Sequence, residues 1–101
     1  MNERGIKPGS FVRHFKRELV ADQQSMDYLY RIIADATHTE TGERLVIYQG
    51  LYPPFKVCAR PYEMFMSEVD REKYPSIKQR WRFEAVDEPV TVFSADNKNN
   101  K

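Results

Sequence analysis

The sequence predicts a mainly β fold, a small antiparallel barrel or roll of about five strands. Three observations lead to this prediction. The chain has 101 residues and is 41% hydrophobic, which suits one compact domain with a single modest core. Short runs rich in β-forming residues alternate between apolar and polar positions. Turns that contain proline or glycine separate these runs, and closing the sheet protects its short edges.

The strands follow from local signals, after a flexible arm over residues 1–8 and a turn at Pro8-Gly9. The predicted strands are Ser10–Lys16, Leu29–Ala36, Arg44–Gly50, Phe55–Arg60 and Arg82–Val86. The second and third form a hairpin, because a short polar loop that contains Gly42 joins them. In the second strand, one face is predicted to carry Tyr30, Ile32, Ala34 and Ala36. Pro61 ends the fourth strand, because proline cannot donate a ladder hydrogen bond.

The remaining segments have less regular patterns. An insertion over residues 17–28 is predicted to be partly helical, and Tyr62–Phe65 is predicted to form a single helical turn. Asp70–Arg80 is predicted to contain about one or two helical turns, with Pro75 at a first helical position. Residues 87–101 form a polar C-terminal extension that is predicted to be largely disordered.

Residues 9–86 are therefore predicted to form the single domain. The composition of the chain argues against several classes of function for it. The chain has 16 basic and 15 acidic residues, whereas a non-specific nucleic-acid-binding protein usually has a strong basic excess. The sequence has no apolar run that is typical of a signal peptide or a membrane span. One cysteine, Cys58, and two histidines cannot build a structural zinc site unaided, so no cofactor is predicted. These features are typical of a cytoplasmic protein in a reducing compartment.

Several segments, taken in order, resemble a bacterial family catalogued as domain of unknown function 1653. They are Val12–Lys16 (VRHFK), His38–Glu43 (HTETGE), Leu45–Tyr52 (LVIYQGLY), Arg60–Phe65 (RPYEMF) and Arg82–Glu84 (RFE). The resemblance implies a small SH3-like β-barrel that serves as a stand-alone or accessory domain, and it assigns no activity to the chain because the family has none assigned. The chain departs from the family pattern at its insertion, where the family has a brief turn.

Imidazole and carboxylate side chains give one set of candidate site residues. His14, His38, Glu40 and Glu63 suit a general acid–base pair or a divalent metal. The alternative is structural, with both histidines satisfying backbone groups and His38 closing a hydrogen-bonded turn. Whether the chain binds a metal is left open.

A second set of residues suits ligand binding. Arg60 can clamp a carboxylate or phosphate with its guanidinium group, or pair with Glu63 to fix a turn. Tyr48 and Tyr52 suit an aromatic groove for a peptide or a base, or else they pack in the core and at its rim. The candidate ligand-binding residues are His14, Lys16, His38, Glu40, Tyr48, Tyr52, Arg60 and Glu63.

The densest basic and aromatic cluster gives the candidate contacts to nucleic acid, namely Lys78, Arg80, Trp81 and Arg82. Acidic neighbours such as Glu84 favour a mixed, solvated surface there instead. The sequence therefore predicts a non-enzymatic binding or accessory domain for a peptide or protein partner. The alternatives are a nucleic-acid-binding domain and a small metal-binding, ligand-binding or hydrolytic site on the histidine and glutamate candidates. A homo-oligomer that buries the aromatic residues is a further interpretation.

Overall fold

The computed structural model describes residues 4–89, and the predictions for residues 1–3 and 90–101 lie outside the described part. Five antiparallel strands form one sheet: β1 Phe11–His14, β2 Leu29–Thr37, β3 Arg44–Gly50, β4 Val57–Pro61 and β5 Phe83–Val86. The strand order β4-β3-β2-β1-β5 leaves β4 and β5 at the two edges. The predicted mainly β fold is confirmed, and the sheet is a roll rather than a closed barrel. The predicted domain limits stay a prediction.

The predicted hairpin of β2 and β3 is present, with a bulge that changes its side-chain pattern. The pairing register shifts by one residue between Ile32 and Ala34, so Ile33 is the extra residue of the bulge. Beyond this point the side chains change faces, and Asp35 rather than Ala34 lies opposite the buried Val46. The prediction that alternate residues along all of β2 share one face is therefore wrong beyond Ile32.

The end of β1 is set by a 3₁₀ helix. β1 stops at His14, short of the predicted Lys16, because Phe15–Leu19 forms this helix and the His14 Nδ1 accepts the Lys16 N–H at 3.0 Å. The insertion is thus helical only where it begins. Its later part is held by Arg17, whose guanidinium group donates to the carbonyl oxygens of Gln23, Ser25 and Asp27.

Helix is scarce in the second half of the described chain. The short helix α1, Tyr62–Phe65, confirms the predicted single helical turn. No helix is present over Asp70–Arg80, and the predicted helical turns are reduced to one, which the Tyr74 N–H closes by donating to the Asp70 carbonyl at 2.9 Å. Towards the end of the segment a side chain takes the backbone groups: the Glu18 carboxylate accepts the N–H groups of Lys78 and Gln79. Among residues 4–89, no helix is long and apolar enough to cross a membrane.

One hydrophobic core lies between the sheet and α1. Its buried residues are Ile6, Val12, Ile32, Val46, Tyr48, Phe65 and Phe83. The rings of Phe65 and Phe83 stack with centroids 4.0 Å apart, which fastens α1 to β5. A smaller cluster of Phe15, Val69 and Ile77 packs the 3₁₀ helix against the segment that precedes β5.

Candidate functional site

Two hollows meet at Arg60, whose side chain lies on the core side of the sheet because Arg60 pairs with the buried Val46. The basic hollow has a volume of about 230 Å³, and its lining includes His14, Lys16, Arg60, Asp70, Lys73 and Arg82. The tyrosine hollow has a volume of about 320 Å³, and its lining includes Tyr30, Tyr48, Tyr52, Lys56, Cys58 and Arg60. Since Arg60 lines both, we treat the two hollows as one site, the groove.

The two arginines of the basic hollow are anchored through their Nε atoms. Arg60 Nε donates to the Tyr48 hydroxyl at 3.1 Å, and Arg82 Nε donates to Ser67 Oγ at 3.2 Å. Both anchoring groups are neutral, so they orient the guanidinium groups without cancelling their charge. One terminal nitrogen of Arg60 lies 3.3 Å from the Met64 sulfur, a weak acceptor. Within residues 4–89 no other terminal nitrogen of the two arginines has a hydrogen-bond acceptor, which suits them to a ligand.

The cations of the basic hollow lack carboxylate partners. Within the described residues, Lys16, Arg60, Lys73 and Arg82 form no ion pair. Asp70 also lines the hollow, but its Oδ1 already accepts two backbone N–H groups of the turn that follows it. Four cations and one carboxylate give the lining a net charge of +3 when His14 is neutral. Such a concentration of charge in a concave surface attracts anions.

His14 is held in its neutral form within this basic hollow. The residue is 8% exposed, and its ring packs edge-on against Phe83 with centroids 5.0 Å apart. Burial first, and then the positive charges of Arg60, Arg82 and Lys16, lower the pKa of the imidazole to about 4. Its Nδ1 is already occupied by the Lys16 N–H, so the ring serves as an uncharged part of the lining near neutral pH.

The tyrosine hollow is built across the β2–β3 hairpin. The hydroxyls of Tyr30 and Tyr52 lie 2.7 Å apart in a hydrogen bond. Burial first, and then this hydrogen bond, raise the pKa of Tyr30 well above its ordinary value, so the phenol stays protonated. Gly50 pairs with Tyr30 across the hairpin, and a Cβ atom there would lie 3.3 Å from the Tyr52 ring. Glycine therefore makes room for the two rings.

Three of the predicted ligand-binding residues lie outside the groove. His38 and Glu40 lie in the exposed β2–β3 loop, where the His38 Nδ1 accepts the Glu40 N–H at 3.2 Å and closes a turn. Glu63 lies in α1 beside a different hollow, together with Arg44. The structure does not gather these side chains around His14. Among residues 4–89, no group of three or more His, Cys, Asp or Glu side chains could hold a metal ion.

The predicted nucleic-acid contacts are divided among different surroundings. Arg82 lines the basic hollow, whereas Lys78 lines a separate hollow that contains Arg13. Arg80 forms an exposed ion pair with Glu68 at 3.2 Å, and its guanidinium lies 4.5 Å from the centre of the Trp81 ring. These side chains therefore do not form one basic and aromatic surface.

The groove also contains residues that are not among the candidates predicted from the sequence. Tyr30 lines the groove because the register of the β2–β3 hairpin places it opposite Gly50. Had this register been derived from the sequence, it would have predicted the position of Tyr30. Lys73 and Asp70 come from the segment of turns before β5, which has no periodic pattern. The local sequence therefore does not predict that Lys73 and Asp70 lie close to β4.

The sequence pattern of the family described as "Protein of unknown function (DUF1653)" matches residues 10–85. This match covers all five strands up to Ala85 and every residue named above in the lining of the groove. No curated protein matches the chain, and no solved structure does.

Proposed function

The chain belongs to the DUF1653 family, whose function is unknown, and we propose that it is a non-enzymatic binding domain for a peptide segment of a partner protein. The groove is the binding site. An apolar or aromatic side chain of the peptide enters the tyrosine hollow, and an anionic side chain enters the basic hollow. The observation that supports this proposal most directly is the position of Arg60, which is anchored by Tyr48 and lines both hollows.

The course of β4 favours an extended ligand. β4 is an edge strand, and Lys56, Cys58 and Arg60 reach the groove at alternate positions just before and along it. An extended peptide has the same two-residue repeat of about 7 Å, so alternate side chains of a peptide beside β4 fall into neighbouring hollows. A peptide of this kind needs no deep, closed cavity, and each hollow has the size of one or two side chains.

The polar groups of the groove suit binding more than catalysis. His14 is neutral near pH 7, but its Nδ1 accepts a backbone N–H, and within residues 4–89 no carboxylate hydrogen-bonds to its ring. Asp70 is engaged by the backbone of its own turn. The arginines and lysines bind and orient an anion without a general acid–base pair beside them.

The proposal is tested by selecting binders from a displayed library of random peptides and measuring their affinities by fluorescence anisotropy. We expect selected peptides to combine an acidic residue with an apolar or aromatic residue about two positions away. Arg60→Met should weaken their binding about tenfold or more, because it removes a partly buried charge that the peptide uses.

The matched control is Arg31→Met, since Arg31 is exposed on β2 and lines neither hollow. Tyr52→Phe is a milder change that removes one hydroxyl from the tyrosine hollow and keeps the ring. The proposal is wrong if no peptide is enriched over an empty matrix, or if Arg31→Met weakens binding as much as Arg60→Met does.

A further inference from the structure

We infer that the basic hollow takes a phosphate monoester, carried on a phosphorylated side chain of the bound peptide. The inference names the anion that this hollow prefers, and it rests on the proposed function for the identity of the carrier. Three features of the hollow support this inference: its charge, the anchoring of its arginines and the convergence of its cations.

The charge of the lining exceeds what a carboxylate neutralises. Lys16, Arg60, Lys73 and Arg82 surround the hollow without ion pairs to described residues, and Asp70 is the acidic group that lines it with them. A carboxylate brings one negative charge to this net charge of +3. A phosphate monoester brings about −1.5 to −2 at neutral pH, so it relieves more of the mutual repulsion.

The anchored arginines also offer more donors than a carboxylate accepts. Arg60 comes from β4 and Arg82 from the residue before β5, and each is fixed through Nε by a neutral oxygen. A carboxylate has two acceptor oxygens in one plane, and one guanidinium group can pair with both in the bidentate arrangement. A phosphoryl group has three acceptor oxygens on a tetrahedral phosphorus, so it can engage both arginines and a lysine at once.

The convergence of the cations favours a single terminal phosphate over a nucleic-acid backbone. A backbone presents phosphodiesters in a row, each with one negative charge, and is bound by cations spread along a strip. Here the cations surround one hollow of about 230 Å³. The nearby Arg80 is paired with Glu68, and Lys78 lines another hollow, so neither extends the basic hollow into a strip.

The hollow itself is tested first, with inorganic phosphate as the probe and acetate as the carboxylate comparison at equal ionic strength. Two-dimensional ¹H–¹⁵N NMR follows the Nε–Hε resonances of Arg60, Arg82 and the exposed Arg31. We expect phosphate to shift the first two resonances saturably with an affinity at least about tenfold above that of acetate, and to leave Arg31 unchanged. Lys73→Met should weaken this binding severalfold, whereas Lys78→Met should not. Equal affinities for the two anions, or equal shifts of all three arginines, overturn the inference.

The carrier of the phosphate is tested next with three kinds of ligand. The first is a set of peptide libraries with phosphoserine, serine or glutamate fixed at the centre; the others are adenosine 5′-monophosphate and a single-stranded oligonucleotide. We expect the phosphoserine library to be retained at least about tenfold more strongly than the glutamate library, with the Lys73→Met variant losing most of this preference. Tighter binding of the nucleotide or the oligonucleotide refutes the peptide carrier. Peptides that bind through Arg60 without a phosphate preference refute only this inference, whereas phosphate binding with no peptide binding refutes the proposed function.

Discussion

Protonation of His14 should destabilise the fold in mild acid, because burial and its cationic neighbours hold the pKa of the imidazole at about 4. The unfolded chain takes up this proton below about pH 6.5, whereas the folded chain does so only below about pH 4. The unfolded state therefore binds more protons in this window, and stability falls as the pH is lowered through it. Between about pH 7 and about pH 5, the two pKa values correspond to a loss of about 2 kcal/mol in the free energy of unfolding.

Urea denaturation followed by Trp81 fluorescence, in a buffer free of phosphate, measures this loss. His14→Asn is the test variant, because asparagine keeps an acceptor for the Lys16 N–H but cannot take up a proton. Wild-type protein should lose about 2 kcal/mol more than this variant between the two pH values. The matched control is His38→Asn, since His38 also accepts backbone N–H groups through Nδ1 but lies in an exposed loop, and it should follow the wild type. The reasoning fails if wild type and His14→Asn lose the same stability.

Two further predictions concern packing and the insertion. Phe65→Leu should lower the free energy of unfolding by about 1–2 kcal/mol in the same urea titration, because it removes a stacked ring from the core. The control is Phe55→Leu at an exposed position, which should change the free energy of unfolding by less than about 0.5 kcal/mol. Arg17→Met should speed amide hydrogen exchange across residues 20–28, because Arg17 donates to three carbonyls of that segment. Arg31→Met is the control. Unchanged exchange in Arg17→Met would show that Arg17 does not hold the segment in place.

The strands were predictable because their signals are local. Alternating residues and Pro or Gly turns set the positions of all five strands within a few residues, and the Gly42 loop set the hairpin. The bulge at Ile33 is not predicted, because Ala34 and Ala36 continue the spacing of Tyr30 and Ile32; the apolar Ile33 between Arg31 and Asp35 is a local departure from the alternation. Over residues 70–80 the structure has one helical turn, closed by Tyr74 and Asp70, rather than a helix. The N–H groups at the end of the segment are taken by Glu18, which is distant in sequence, and no local pattern predicts that contact.

The candidate site was predictable only in part, because local sequence signals do not show which distant residues meet. Five residues that residue type indicates line the groove, namely His14, Lys16, Tyr48, Tyr52 and Arg60. Their partner Lys73 lies on a segment without periodicity, so only the folded chain reveals that they meet. For the histidines, the hydrogen bonds of the His38 loop match the structural alternative, which its local sequence also suggested.

The basic hollow is hard to explain as a stabilising feature. Four cations around one hollow repel each other, and the carboxylate beside them is engaged in its own turn. Among the other described cations, Arg13, Arg44 and Arg80 form ion pairs with Glu84, Asp35 and Glu68, whereas the hollow gathers four cations without such a pair. Burial and three of these cations, Arg60, Arg82 and Lys16, also keep His14 neutral, at a cost in stability below about pH 6.5. Departures from local electrostatic balance are expected where function requires them, and a bound anion would restore the balance in this hollow.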